Sequence, residues 1–243
     1  MLVRTETFRS GTPGALPAYS SASTAVSSAT LAATHAVNYP ATVTAGDLLI
    51  AVAVGVNQNN NADVAMHADL IAAGFEQLIK DSTDGNAVTG LIAWKRAVGT
   101  EDGTSIANAF TGSGGTTTDG IRTQMYRFTA ADGFHAEPAV DVHIHTDGEG
   151  FDAAVAMPTV TPTGINQLAV AIIVAFGNFT ASSSTGESGG DWTSNVSAAA
   201  NNCGLHVQTS NQSGGGSISG GSAAFGGSVL PLAFGFALRP ADV

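Results

Sequence analysis

Three residues in one short run have the types and spacing for metal or proton chemistry. Asp141, His143 and His145 alternate with Val142 and Ile144. On a strand, alternate residues share a face. An Asp-x-His-x-His run would therefore set a carboxylate beside two imidazoles, ligand types that zinc and other divalent metals accept. Asp147, Glu149 and Asp152 follow and add carboxylates. The same alternation also describes the solvent-facing half of an edge strand whose buried half is Val142 and Ile144. A metal site needs further ligands from converging elements and an outer layer of hydrogen bonds. This run alone assigns no metal and no cofactor.

Other catalytic patterns are missing. No Gly-x-Ser-x-Gly elbow stands between a strand and a helix. The glycine clusters at 112–115 and 214–221 lack the Lys-Ser/Thr ending or the following helix of a phosphate-binding loop. Glycoside hydrolysis needs two opposed carboxylates, and the acidic residues sit mostly in turns. Trp94 and Trp192 are the candidate sugar platforms, Trp192 because Glu187 and Asp191 lie close to it in sequence. The competing reading of Trp192 is a cap on a hydrophobic core. The single cysteine, Cys203, excludes an intrachain disulfide and reads as a small buried thiol. No catalytic residue is assigned, and the chain is expected not to be an enzyme.

These residues must be held by the elements that the rest of the sequence encodes. Charged residues make up only 11% of the 243, and 19 acidic against 8 basic side chains give a net charge of −11. A non-specific nucleic-acid binder needs a positive field, so nucleic acid is excluded as a partner. The two most hydrophobic stretches, Leu48 to Val56 and Leu168 to Phe176, are far shorter than the about 20 residues of a membrane helix. The expectation is a soluble protein made in a cytoplasm, with no membrane partner.

Those two stretches belong to a repeat. Pro40 to Gly46 resembles Pro158 to Gly164, and each is followed by a strongly apolar strand, Leu48 to Val54 and Leu168 to Val174. The strands lie 120 positions apart (Leu48 to Leu168), which keeps parity. Gly90 to Ala93 matches Gly204 to Val207 at an offset of 114. Ser105-Ile106 with Gly114-Gly115 matches Ser217-Ile218 with Gly226-Gly227 at 112. Leu168, Val170, Ile172, Val174 and Phe176 share one parity and alternate mainly with alanine. Leu230, Leu232, Phe234, Phe236 and Leu238 do the same against Pro231, Ala233, Gly235 and Ala237. A period of two is the sheet signal. The large face is core, and the small face must also be covered, by loops, a second sheet or a neighbouring subunit.

Turn residues such as Asp84-Gly85 and Asp102-Gly103 cut the chain into short segments. The fold class expected is all-β, an antiparallel, jelly-roll-like β-sandwich of about twelve strands from an internal duplication. Its parts are an N-terminal arm over 1–20 and a sandwich over 21–243, with copy one over 21–135 and copy two over 136–243. Arg4 and Arg9 make the arm basic, which suits docking on an acidic neighbour as well as a frayed end. Ala62 to Ala73 is the one helical candidate.

Several motifs occur in a fixed order: Pro40-x-x-Val43-x-x-Gly46-Asp47-Leu48-Leu49, Ala73-Gly74-Phe75-Glu76-Gln77-Leu78, Trp94-Lys95-Arg96-Ala97 and Glu101-Asp102-Gly103. Pro138-Ala139-Val140-Asp141, Pro158-Thr159-Val160-Thr161 and Ala237-Leu238-Arg239-Pro240 follow. Over about residues 21–240 this order resembles structural proteins of tailed-bacteriophage virions, the minor tail and decoration-like β-sandwich proteins. The resemblance implies a β-sandwich that occupies part of a particle, with no catalytic residues to carry over. Two departures stand out: Phe75 follows Gly74 where the family often has Trp, and Trp192 is separated from Gly190 by one residue.

The function expected is a structural virion component, tail-associated or a capsid decoration protein, partnered by other virion proteins and copies of itself. The alternative is a carbohydrate-binding module for host-surface glycans. An enzyme built on Asp141, His143 and His145 ranks last.

Overall fold

The computed structural model describes residues 14–57, 61–83, 87–113, 120–136, 139–147, 152–177 and 185–242. The described residues are all-β apart from one five-residue helix, and every strand pairing among them is antiparallel. The described residues contain sixteen strands, against the about twelve expected.

The first half starts with β1 (Ala18–Ala22), β2 (Val26–Ser28) and β3 (Thr34–Asn38). There follow β4 (Leu48–Val56), β5 (Asp63–Met66), α1 (Ala68–Ala72), β6 (Glu76–Ser82), β7 (Val88–Arg96), β8 (Ser105–Ser113) and β9 (Gly120–Thr129). Its large sheet has the order β1-β9-β4-β7-β6, with β2 also on the outer side of β9. Its small sheet has the order β3-β8-β5. The expected helix over 62–73 is thus half strand: β5 comes first, and α1 begins only after His67, whose ring accepts from the Asp69 N–H.

The second half has β10 (Val140–Asp147), β11 (Asp152–Ala156), β12 (Gln167–Phe176), β13 (Thr185–Ser188), β14 (Thr193–Ala200), β15 (Cys203–Gln212) and β16 (Ser219–Leu238). Its large sheet runs β10-β16-β12-β15-β14. The 20-residue β16 serves two sheets: up to Val229 it pairs with β11 and β13, and from Leu230 with β10 and β12. In the first half the same path is divided between β8 and β9.

The two large sheets face each other. β12 lies against β4 and β7, β15 against β4 and β9, β16 against β7, and β10 beside β6. Leu48, Ile50, Val52, Val54 and Val56 from β4 meet Leu168, Val170, Ile172, Val174, Phe234 and Phe236 in one central core. These are the large-residue parities, and they are buried as the alternation requires.

The alanine faces are covered from within the chain. Ala51 and Ala53 back onto Val37, Val64 and Phe110 of the first small sheet. Ala169, Ala171, Ala175, Ala233 and Ala237 back onto Val155, Ala223 and Phe225 of the second. Four sheet layers therefore enclose three cores. Small residues on these faces let the outer sheets approach closely. A Cβ on Gly55 would come within 2.5 Å of Val64, and one on Gly235 within 2.8 Å of Pro158 and Val160.

Pairing register corrects one expected repeat match. Val54 pairs with Gly90, whereas Val174 pairs with Leu205. With β4 and β12 aligned at 120, the next strands correspond at 115 (Gly90 to Leu205), not 114. A one-residue slip would exchange the faces of every side chain. Ile92 and Val207, which are 115 apart, both lie in the central core.

The expected arm over 1–20 also changes at its inner end. Gly14 N–H donates to the Ala241 carbonyl, Ala15 N–H to Asp132, and Ala18 already belongs to β1. No described helix is long and apolar enough to cross a membrane.

Candidate functional site

The metal candidate is built on β10, the edge strand beside the C-terminal half of β16. A bulge between Val140 and His143 interrupts its register, since Val140 pairs with Leu238 and His143 with Phe236. A bulge inserts one residue and breaks the period of two. The shared face inferred for Asp141 with His143 and His145 therefore loses its basis. The Asp141 carboxylate already accepts from the N–H and hydroxyl of Thr163, at 2.7 and 2.5 Å. The side chains of His143 and His145 lie outside the described residues. Among the described residues, no group of three or more His, Cys, Asp or Glu is placed to hold a metal.

The two tryptophans are not exposed platforms. Trp192 is 2% exposed and lies in the core between the second large and small sheets. Trp94 is half-buried against the central core. A sugar ring needs an open aromatic face, and Trp192 offers none. Arg4 and Arg9 lie outside the described residues. Cys203 is buried, and burial pushes its thiol pKa well up, which fits an inert core thiol.

The first-half motifs converge on one buried ion pair that local spacing does not reveal. Lys95 Nζ lies 2.8 Å from Glu101, and both side chains are under a tenth exposed. Lys95 also donates to the Ala73 carbonyl at 2.9 Å and sits over the rings of Tyr39 and Phe75, at 5.7 and 5.5 Å. Glu101 accepts from the N–H groups of Val98, Gly99 and Thr100 at 2.8–3.0 Å. Burial alone would raise its pKa. The Lys95 contact and the backbone donors outweigh that and hold it near 2, below the ordinary 4.5. Burial, reinforced by Glu101, pushes Tyr39 up to about 12.

Neighbouring motif residues are tied in similar ways. Asp47 accepts from the Thr44 N–H and pairs with Arg127 at 2.6 Å. Asp102 accepts from the Val43 N–H. Arg96 donates to the Phe134 and His135 carbonyls. Each group is spent on holding a turn or a sheet end.

Where Leu91, Ala93, Lys95 and Ala97 stand in the first half, the second half has His206, Gln208, Ser210 and Gln212, all buried. Gln208 donates to His206 Nε2 at 2.8 Å. Burial lowers the His206 imidazole from 6.5 to about 4, with the Val196 backbone opposing the shift. The off-by-one alignment concealed this row, because it placed His206 opposite Ile92.

Two surface features remain. One is an open groove of 340 Å³ at the seam of the two large sheets, between Tyr19 of β1 and Asp191, Asn195 and Thr209 near β14 and β15. The other is the contrast between the sides of the molecule. On one side, edge strands β6 and β10 carry Glu76, Lys80, Asp81, Asp141 and Asp147. On the other, β1, β2 and β14 carry no charged residue and no proline. No protein-family model, curated protein or solved structure matches the chain.

Proposed function

We propose that this protein is a structural component of a bacteriophage virion, tail-associated or a capsid decoration protein. In this reading it acts by packing against other virion proteins and copies of itself, and it is not an enzyme. Its halves are jelly-roll-like sandwiches descended by internal duplication, joined back to back about a pseudo-twofold axis. The matched strand orders of the two large sheets and of the two small sheets support that descent. So do the paired contacts of β12 with β7 and of β15 with β4. The motif order supports the virion assignment.

The observation that carries the packing role is β14. An edge strand presents unpaired N–H and C=O groups and is ordinarily blunted with charge or proline. β6, at the corresponding edge, has Glu76, Lys80 and Asp81, and Lys80 pairs with Asp63 at 2.6 Å. β14 reads Thr-Ser-Asn-Val-Ser-Ala-Ala-Ala. In a chain of net charge −11, an eight-residue edge without charge is where a second strand meets least repulsion. The alanine faces no longer contribute to this argument, because the small sheets cover them.

Light scattering after size-exclusion chromatography tests the reading. The protein should be oligomeric, and Ala199→Lys at the β14 edge should dissociate it with little change in melting temperature. A wild-type chain that stays monomeric at high concentration would remove β14 as a self-packing edge. Failure to bind any purified virion protein as well would end the structural reading.

A further inference from the structure

The groove at the seam between β1 and β14 has a lining that the packing role does not use. Asp191 and Asn211 are both exposed, and neither side chain is hydrogen-bonded within the described residues. Asn195 is held in place: its amide donates to Thr209 Oγ1 at 2.8 Å and to the Thr193 carbonyl at 3.2 Å, which leaves its Oδ1 as an acceptor. The half-buried Tyr19 ring is fixed edge-to-face on Phe128, at 5.8 Å and 77°.

We propose that this groove binds a neutral, hydroxyl-rich ligand, a saccharide of one or two rings. Each sugar hydroxyl both donates and accepts. A free carboxylate, two amides and the Thr193 and Thr209 hydroxyls offer both roles around one space. The apolar C–H edge of a sugar packs on an aromatic ring, which the half-buried Tyr19 supplies. The volume of 340 Å³ lies at the lower end of the about 300–1,000 Å³ of small-molecule clefts. Asp191 is the one charged residue in the lining, and no basic group accompanies it. Phosphorylated and sialylated ligands would meet repulsion without a counter-charge. The pinned Asn195 and fixed Tyr19 lower the ordering cost on binding. This site differs from Trp94 and Trp192, and it goes beyond the structural role.

The test is a glycan array probed with the full chain, followed by titration calorimetry on the best neutral hit. Neutral glycans should bind, and Asp191→Ala and Asn211→Ala should each weaken binding at least tenfold with the melting temperature unchanged. Both side chains are exposed, so loss of binding would not reflect unfolding. Trp94→Phe should bind as the wild type does. The proposal is overturned if no neutral glycan binds, if only sialylated or phosphorylated glycans bind, or if both alanine variants retain affinity. The oligomeric state of the same sample separates the two readings. A monomer that binds keeps the groove and removes the packing edge, and an oligomer that binds no glycan does the reverse.

Discussion

Lys95 and Glu101 show how little of a residue's role its sequence neighbours reveal. Their motifs are legible, but the Ala73 carbonyl and the Phe75 ring reach Lys95 only once β6 has folded back along β7, and the Tyr39 ring arrives from the connection after β3. Asp141 is the opposite case. Its spacing to His143 was legible, but the bulge between Val140 and His143 was not, because a bulge does not announce itself in composition. Two buried groups set the acid limb of stability. His206 has a native pKa of about 4 against an ordinary 6.5, so the unfolded chain takes up the proton first. Its contribution is complete above pH 6.5 and lost as pH falls towards 4. Glu101, held near 2 against 4.5, contributes fully above pH 4.5 and loses that contribution as pH falls towards 2. Melting temperature should therefore decline in two stages on acidification. His206→Gln should flatten the upper stage, which is worth on the order of 3 kcal/mol, and leave the lower one. A wild-type melting temperature constant from pH 7 to 4 would contradict this account.

At the scale of elements, the period of two marked β4, β12 and the end of β16 with their buried large faces, because burial on one side imposes alternation directly. It could not say what covers the alanine faces, since that cover comes from strands far away in sequence. Nor could it fix the register of β15, whose buried His206, Gln208, Ser210 and Gln212 break the apolar alternation that would have set it. Gly90 is a contact of this non-local kind. An added Cβ would clash with the Phe234 ring of the opposite sheet, 2.7 Å from its Cζ. Gly90→Ala should destabilise by about 1–3 kcal/mol, as overpacking does. Phe234→Leu in the same chain should recover part of that loss, even though Phe234→Leu alone destabilises. Chemical denaturation of the two single variants and the double variant would give the coupling, and strict additivity would argue against the contact.

On the scale of the whole molecule, the three cores are not equivalent. The outer two each lie within one half, and the central one is shared between halves. Residues 14–136 alone would expose Leu48, Ile50, Val52, Val54 and Val56 as one apolar face. That fragment should be recovered as a dimer or as insoluble material, and a well-folded monomer by light scattering would argue against a shared core. The unequal sides of the stacked sheets bear on growth. A block with adhesive edges on opposite sides polymerises without limit. Here, among the described large-sheet edges, β6 and β10 are charged and β1, β2 and β14 are neutral, so contact through the neutral side leaves only charged large-sheet edges facing outward. Self-association by that route should halt at two chains, a closed pair in place of an open filament.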